Sequence, residues 1–199
     1  MKIDKNFPGL TQRTDGAYVL DSKLISPAGI IVDLDNRLIV TGRIEAATYI
    51  EANNSIESWE YIEASGFIKV CGNIEAGYEI IAGSYIEVHG NIEASVSIEA
   101  HNNIKADSNI TVHGCIKAGY GITAGGSIET DDGINAGFGI KAGANISCGK
   151  RIFAGLDAQH TAENCTKTIQ CAELRKGEIA YGDLVLIRPE GTDNAKKEE

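Results

Sequence analysis

The hydrophobic positions of the chain repeat every six residues. Isoleucine occupies each sixth position from Ile44 to Ile152, nineteen times in succession without an insertion, and the position two residues later is almost always small, as in Ile62/Ala64. This alternation predicts a three-residue strand with two side chains on its inner face, and the next three residues must then turn. Strands this short bury their apolar side only by stacking on copies of themselves. The pattern therefore predicts an all-β fold, a parallel β-helix or β-solenoid.

The length of one coil follows from which positions resemble each other, because stacked residues share an environment. Residues 18 apart match best. The position before the isoleucine is polar throughout one series: Ser55, Asn73, Asn91, Asn109, Ser127 and Asn145. In a second series the same position holds Tyr49, Phe67 and Tyr85. These matches predict a triangular parallel β-helix with three hexads, or 18 residues, per coil.

Both ends of the chain lose this pattern and are expected to cap the coils. Val32/Leu34 and Leu38/Val40 keep the register and indicate most of another coil before Ile44. Turns are expected at Lys176-Gly177 and Tyr181-Gly182-Asp183. The predicted organisation is an N-terminal cap at 1–31, a hexapeptide-repeat β-solenoid at 32–158, a C-terminal β cap at 159–188 and a polar disordered tail at 189–199. Two caps argue against long filaments, because open strand edges allow such rods to polymerise.

The recurring phrases IKVCGNIEA, IEVHGNIEA and ITVHGCIKA carry a Gly-x-Ile-x-Ala motif within a strand-turn-strand repeat. Over about residues 32 to 155 they resemble the bactofilins, bacterial cytoskeletal proteins that polymerise. The resemblance implies a right-handed triangular β-helix and a scaffold that associates with itself. The structured ends depart from the bactofilin pattern, in which short disordered tails flank the core.

Composition indicates a cytoplasmic protein that does not enter a membrane. The formal net charge is −10, no apolar run approaches the length of a transmembrane helix, and no charged-then-apolar leader begins the chain. The five cysteines are scattered, without Cys-x-x-Cys spacing. We expect them to be free thiols in a reducing compartment.

Negative charge concentrates in the first half of the repeat. Residues 45–99 carry ten acids and one base, whereas residues 101–155 carry four acids and five bases. The candidate interaction residues are the outward acids of the repeat: Glu45, Glu57, Glu63, Glu75, Glu93, Glu99 and Glu129. Two interpretations remain open. The acids keep a strand-rich rod soluble and block lateral strand pairing, or they form an electronegative stripe that binds a basic surface.

Aromatic residues occur on the same half of the rod. Tyr49, Phe67 and Tyr85 are predicted to form an aromatic ladder, and Trp59 and Tyr61 lie in the same first coils. Such ladders stabilise a β-surface. Aromatics beside carboxylates also resemble a protein-binding hot spot.

Candidate chemistry is sparse, and we expect no catalytic residue, cofactor or metal. Cys71, His89 and Asp107 stack on one corner at 18-residue spacing. Side chains on such a stack point outward side by side, without a pocket or oxyanion donors. No inserted loop interrupts the nineteen hexads, whereas the hexapeptide acyltransferases place their histidine beside an extruded loop.

The leading hypothesis is a non-enzymatic β-solenoid that acts through its surface as a scaffold, self-assembly or protein-interaction module. Its partner would be a basic protein or a second copy, with no direct binding of nucleic acid. The alternative is an acidic rod, such as a phage-encoded inhibitor, that mimics nucleic acid or blocks a basic cleft and so inhibits a nucleic-acid-handling enzyme or defence complex. A degenerate acyltransferase is the third hypothesis.

Overall fold

A computed structural model describes residues 1–155 and 167–187 of the chain. These residues form 27 short β-strands and no helix. The predicted tail at 189–199 lies outside the described residues, as does part of the predicted C-terminal cap.

The strands stack in three columns, which we call faces A, B and C. Face A comprises Lys2–Ile3, Ile30–Val32, Ile50–Ala52, Ile68–Val70, Ile86–Val88, Ile104–Ala106, Ile122–Ala124, Ile140–Ala142, Thr168–Cys171 and Asp183–Leu186. Face B comprises Tyr18–Leu20, Leu38–Val40, Ile56–Ser58, Ile74–Ala76, Ile92–Ala94, Ile110–Val112 and Ile128–Thr130. Face C comprises Leu24–Ser26, Ile44–Ala46, Ile62–Ala64, Glu79–Ala82, Ser97–Ala100, Ile116–Ala118 and Ile134–Ala136. The longer strands Asn145–Ala154 and Glu173–Tyr181 run from face B onto face C, and Leu10–Gln12 pairs antiparallel with Tyr18–Leu20.

The predicted period of 18 residues is confirmed. Ile62 pairs in parallel register with Ile44 on one side and Ile80 on the other. About nine coils stack in this way. The pairings do not depend on the hand of the coil, so right-handedness stays a prediction.

The core is a column of isoleucines with small residues beside them. Ile62, Ile80 and Ile98 have no exposed surface, and Ala64 is 1% exposed. Because three strands enclose a narrow triangle, one large and one small inward side chain per strand fill it. Burial of these apolar side chains supplies the main stabilisation of the rod.

Between Tyr18 and Ala154, four polar or sulfur-bearing residues replace the inward small residue, and three of them bond to the turn of the preceding coil. Ser58 Oγ donates to the carbonyl oxygen of Gly42 at 2.8 Å, and Cys148 Sγ donates to that of Asp132 at 2.9 Å. Thr130 makes the equivalent bond to Gly114. Burial is tolerated here because each hydroxyl or thiol has an acceptor. The fourth, Ser26, donates instead to Gly29, within its own coil, at 3.2 Å.

The first coil begins inside the predicted N-terminal cap. Tyr18, Leu24 and Ile30 pair with residues 20 positions further on, so this coil holds two residues more than the 18-residue coils that follow it. The expectation that Val32/Leu34 keeps the hexad register was wrong: Ile30 takes the isoleucine position, and Leu34 is buried in the enlarged corner.

At the other end, the described part of the predicted C-terminal cap continues the stack. Ile169 pairs with Ile140 in parallel register, and Leu184 pairs with Ile169. The strand Glu173–Tyr181 pairs in parallel with Asn145–Ala154, and the pairing contains three register shifts. The irregular spacing of the apolar residues after Gly155 accounts for these shifts.

The polar column at the corner before face B forms a continuous hydrogen-bonded ladder. Asn73 Oδ1 accepts from the backbone N–H of Asn91 at 2.9 Å, and Asn91 Oδ1 accepts from that of Asn109 at 3.0 Å. Ser55 Oγ begins the series by accepting from the N–H of Asn73 at 2.8 Å. The ladder thus satisfies corner N–H groups that no strand partner reaches.

Replacing Asn91 by alanine should remove one bond of this ladder. We expect Asn91→Ala to lower the free energy of unfolding by about 1 kcal/mol, measured by urea denaturation. Asn91→Ser should retain most of the stability, because Ser55 and Ser127 accept the same bond elsewhere in the column. Equal losses for the two variants would contradict a role for the side-chain acceptor.

Candidate interaction surface

The aromatic ladder of Tyr49, Phe67 and Tyr85 forms as predicted. Successive ring centroids are 5.2 Å apart, and the ring planes differ by 9° and 5°. The three side chains are half-buried. A Cβ placed on Gly29 would lie 2.5 Å from the ring of Tyr49, so this glycine makes room for the first ring of the ladder. These contacts show that the ladder stabilises the rod, and they leave little aromatic surface exposed for a partner.

Tyr61 is also engaged within the rod. Its hydroxyl donates to Glu45 Oε2 at 3.4 Å, and the guanidinium of Arg43 lies 5.7 Å from the ring centroid. Arg43 Nε pairs with the same carboxylate at 3.0 Å. Burial, followed by the carboxylate, raises the pKa of Tyr61. Glu45 and Tyr61 therefore belong to a local cluster.

On face A the outward charges alternate up the stack. Glu51, Lys69, Glu87 and Lys105 follow one another in register. Lys69 Nζ lies 3.7 Å and Lys105 Nζ 3.2 Å from the carboxylate of Glu87. From Glu51 to Lys105 each charge has a neighbour of opposite sign, so this stretch of face A is close to neutral.

On face B the outward charges do not alternate. Glu57, Glu75 and Glu93 lie in direct register, and we call them the glutamate row. Arg37 approaches Glu57 at 3.9 Å. Within the described residues neither Glu75 nor Glu93 has an ion pair or a side-chain hydrogen bond, and both are exposed. Like charges at the spacing of stacked strands repel, so the row carries an electrostatic cost that face A avoids.

The pKa of Glu75 is raised by burial and then by the charges of Glu57 and Glu93. A carboxyl whose folded pKa exceeds its unfolded value stabilises the protein when protonated, and this stabilisation is lost as pH rises through the folded pKa. The ionised Glu75 therefore destabilises the rod at neutral pH.

We expect Glu75→Gln to raise the free energy of unfolding at pH 7 by about 0.5 kcal/mol at low salt. The gain should disappear below the ordinary glutamate pKa of 4.5, where both chains are neutral at this position. Urea denaturation of both proteins at pH 7 and pH 3.5 measures the difference. Glu87→Gln is the control. It should not raise the free energy of unfolding, because the substitution removes the ion pairs of Glu87 with Lys69 and Lys105. A stability loss in Glu75→Gln at pH 7 would contradict the repulsion.

The corner between faces B and C carries three large exposed apolar side chains. Trp59 is 59% exposed, Tyr78 58% and Val96 41%. They belong to three consecutive coils: the N–H of Val96 donates to the carbonyl of Tyr78 at 2.9 Å, and the N–H of Tyr78 donates to that of Glu60 at 3.2 Å. We call these residues the apolar corner. It directly follows the glutamate row along the chain, so apolar and acidic side chains share one edge of the rod.

Sequence reasoning identified Trp59 but missed Tyr78 and Val96. Trp59 is the third residue after its isoleucine, whereas the other two are the fourth, so no single column contains all three. Only the tight corner brings the two columns together. The available signal was a large apolar residue at a turn position that elsewhere holds Gly114, Asp132 and Lys150.

The remaining predicted acids lie apart from this edge. Glu129 is on face B, beyond Thr111 in register. Glu63 follows Glu45 on face C. Glu99 pairs with Lys117 at 2.7 Å. The structure therefore brings together Glu57, Glu75 and Glu93 on face B and Glu45 and Glu63 on face C, and it places Glu99 and Glu129 elsewhere.

The described residues hold no group of three or more side chains that could ligate a metal. Cys71, Cys115, Cys148 and Cys171 are free within this part of the chain. Burial raises the pKa of the Cys148 and Cys171 thiols, which makes them poor nucleophiles. The described residues contain no helix that is long and apolar enough to cross a membrane.

The comparisons agree with this architecture. No curated protein and no solved structure matches the chain. The family model "FapA: Flagellar Assembly Protein A beta solenoid domain" matches residues 61–191, more than half of the chain. This match supports a β-solenoid and leaves the resemblance to bactofilins unconfirmed. The chain therefore belongs to the FapA β-solenoid domain family.

Proposed function

We propose that the protein is a non-enzymatic interaction module of the cytoplasm, and that the apolar corner and the glutamate row bind a protein partner. The observation that carries this proposal is the exposure of Trp59, Tyr78 and Val96 on consecutive coils beside carboxylates. The partner surface would combine basic and apolar side chains.

The physical case rests on rigidity and composition. Trp and Tyr are the residues most enriched in interface hot spots. On this rod the turns that carry them are held by backbone bonds to the neighbouring coils, so binding orders little of the chain. Glu75 and Glu93 beside them have no ion pair among the described residues and can pair with basic groups, which increases the association rate.

Family membership supports the class of function. The family model is named for a flagellar assembly protein. A domain of this kind is consistent with a scaffold or interaction role rather than with catalysis. The family name does not identify the partner of this chain.

The ion pairs of the fold weaken the case for mimicry of nucleic acid. From the net charge of residues 45–99, the acidic half of the rod has about the linear charge density of duplex DNA. In the fold, however, Lys69 and Lys105 flank Glu87, and Lys117 pairs with Glu99. Mimicry stays an alternative for experiment.

Site-specific photocrosslinking in cells tests the proposal. A photoreactive amino acid replaces Tyr78 in one variant and Thr123 in the control. Thr123 is exposed on face A in the second half of the rod. We expect a discrete protein adduct from position 78 and none from position 123. Absence of an adduct at position 78, or the same adducts at both positions, would overturn the proposal.

Once the partner is known, glutamine substitutions distinguish docking on the apolar corner from mimicry of nucleic acid. Glu93→Gln and Glu129→Gln remove the same charge from the same face. A partner docked on the apolar corner should lose affinity in Glu93→Gln alone. A nucleic-acid mimic, recognised by its extended charge, should lose affinity in both variants and bind much more weakly in high salt.

A further inference from the structure

The C-terminal end of the stack exposes its core. Leu184 continues the inward column of Ile140 and Ile169, yet Leu184 is 41% exposed and Ile169 not at all. In the neighbouring column Leu186 is 57% exposed above the fully buried Cys171. Leu184 and Leu186 form a bare apolar surface that we call the open end, and the neighbouring Tyr181 and Val185 are 43% and 42% exposed.

The N-terminal end is different. There the strand Leu10–Gln12 crosses the first coil antiparallel to Tyr18–Leu20. Ile3 and Ile30 are completely buried. Lys2 and Lys5 form ion pairs of 2.8 and 2.7 Å with Asp33 and Asp35 at this edge. An apolar end and a covered, charged end do not complement each other, so head-to-tail stacking of copies is disfavoured.

The rest of the chain offers little to cover the open end. Residues 156–166 contain one large aliphatic residue, Leu156, and residues 188–199 contain none. A second copy supplies an identical set of leucines. It also supplies an identical strand edge, and identical edges pair antiparallel about a two-fold axis.

The distribution of charge also favours a second copy of the chain at the open end. Residues 167–187 carry three bases (Lys167, Arg175, Lys176) and three acids (Glu173, Glu178, Asp183). Two copies therefore meet at this end without net repulsion. Their acidic halves, at residues 45–99, point away from each other in such a pair, which minimises repulsion between them.

We infer that two copies associate through the open end about a two-fold axis and form a closed dimer. The contact buries Leu184 and Leu186 of both copies and leaves the apolar corner of each free. This inference goes beyond the proposed function and does not depend on it, because the surfaces lie on different coils. A dimer would present two partner-binding edges.

Sedimentation equilibrium of the full chain, over a hundredfold range of concentration, tests the inference. The expected mass is twice the 21.2 kDa of the chain. Leu186→Glu should give a monomer, whereas the control Val96→Glu places the same charge at a 41% exposed position of the apolar corner and should remain dimeric. A wild-type monomer at every concentration, or growth into larger assemblies, would overturn the closed dimer. A dimer that survives Leu186→Glu would do the same.

Hydrogen exchange of the wild-type protein provides a readout that does not depend on whether the variant folds. Amides of residues 183–187 should exchange at least tenfold more slowly in concentrated than in dilute protein, and amides of the apolar corner should be unchanged. Equal rates at residues 183–187 would show that no copy covers the open end.

Discussion

Ile92→Ala should lower the free energy of unfolding by about 2–5 kcal/mol, the usual cost of truncating a buried isoleucine to alanine. Ile92 has no exposed surface and lies in register between Ile74 and Ile110. Backbone bonds to both neighbouring coils hold the strand in place, so the cavity cannot close by collapse. Each coil is stabilised chiefly by its neighbours, and one cavity weakens two interfaces of the stack.

Urea denaturation of the variant measures this loss. Ile92→Val is the graded control and should cost about 1 kcal/mol, since it removes a single methylene. Val96→Ala, at a 41% exposed corner position, should change stability by less than about 0.5 kcal/mol. A cost below 1 kcal/mol for Ile92→Ala would mean that the isoleucine column does not carry the stability of the rod.

Removing both aromatic rings of the apolar corner should abolish most partner binding. We expect the double variant Trp59→Ala/Tyr78→Ala to bind the crosslinked partner at least about thirtyfold more weakly, the effect of losing about 2 kcal/mol at a hot spot. Both rings are more than half exposed, so their removal should leave the melting temperature almost unchanged. Isothermal titration calorimetry of purified proteins measures the affinity.

The control for this loss is a substitution in the aromatic ladder, which stabilises the rod itself. Phe67→Leu removes the central ring of the aromatic ladder, which stacks on Tyr49 and Tyr85 at 5.2 Å. It should lower stability by about 0.5–1.5 kcal/mol and leave affinity intact. The opposite result, with binding lost in Phe67→Leu and retained in the double variant, would place the partner on face A.

Much of the fold could be predicted because stacking imposes one period on core, turns and surface alike. The match of Asn73 with Asn91 and of Phe67 with Tyr85 was visible as residue identity at a spacing of 18, and the structure pairs them. The enlarged first coil could not be predicted. Ile30, Val32 and Leu34 alternate in the sequence, so either pair could occupy the strand, and backbone pairing selects Ile30 and Val32.

The C-terminal strands were harder still. After Gly155 the inward residues are isoleucine, cysteine and leucine at uneven spacing, and Leu184 lies 15 residues beyond its partner Ile169. No fixed period identifies such a coil. Of the interaction surface, the sequence indicated the acids and Trp59. It did not show which acids pair with lysines, or that Trp59 lies at the same corner as Tyr78 and Val96, because both depend on distances between coils.

The most direct test of the interaction surface is hydrogen exchange of the protein with and without its crosslinked partner. We predict slower exchange at residues 57–60, 75–78 and 93–96 when the partner is bound, and unchanged exchange at residues 128–154. Protection confined to the second half of the rod, or to residues 183–187, would contradict the proposal that the apolar corner and the glutamate row bind the partner.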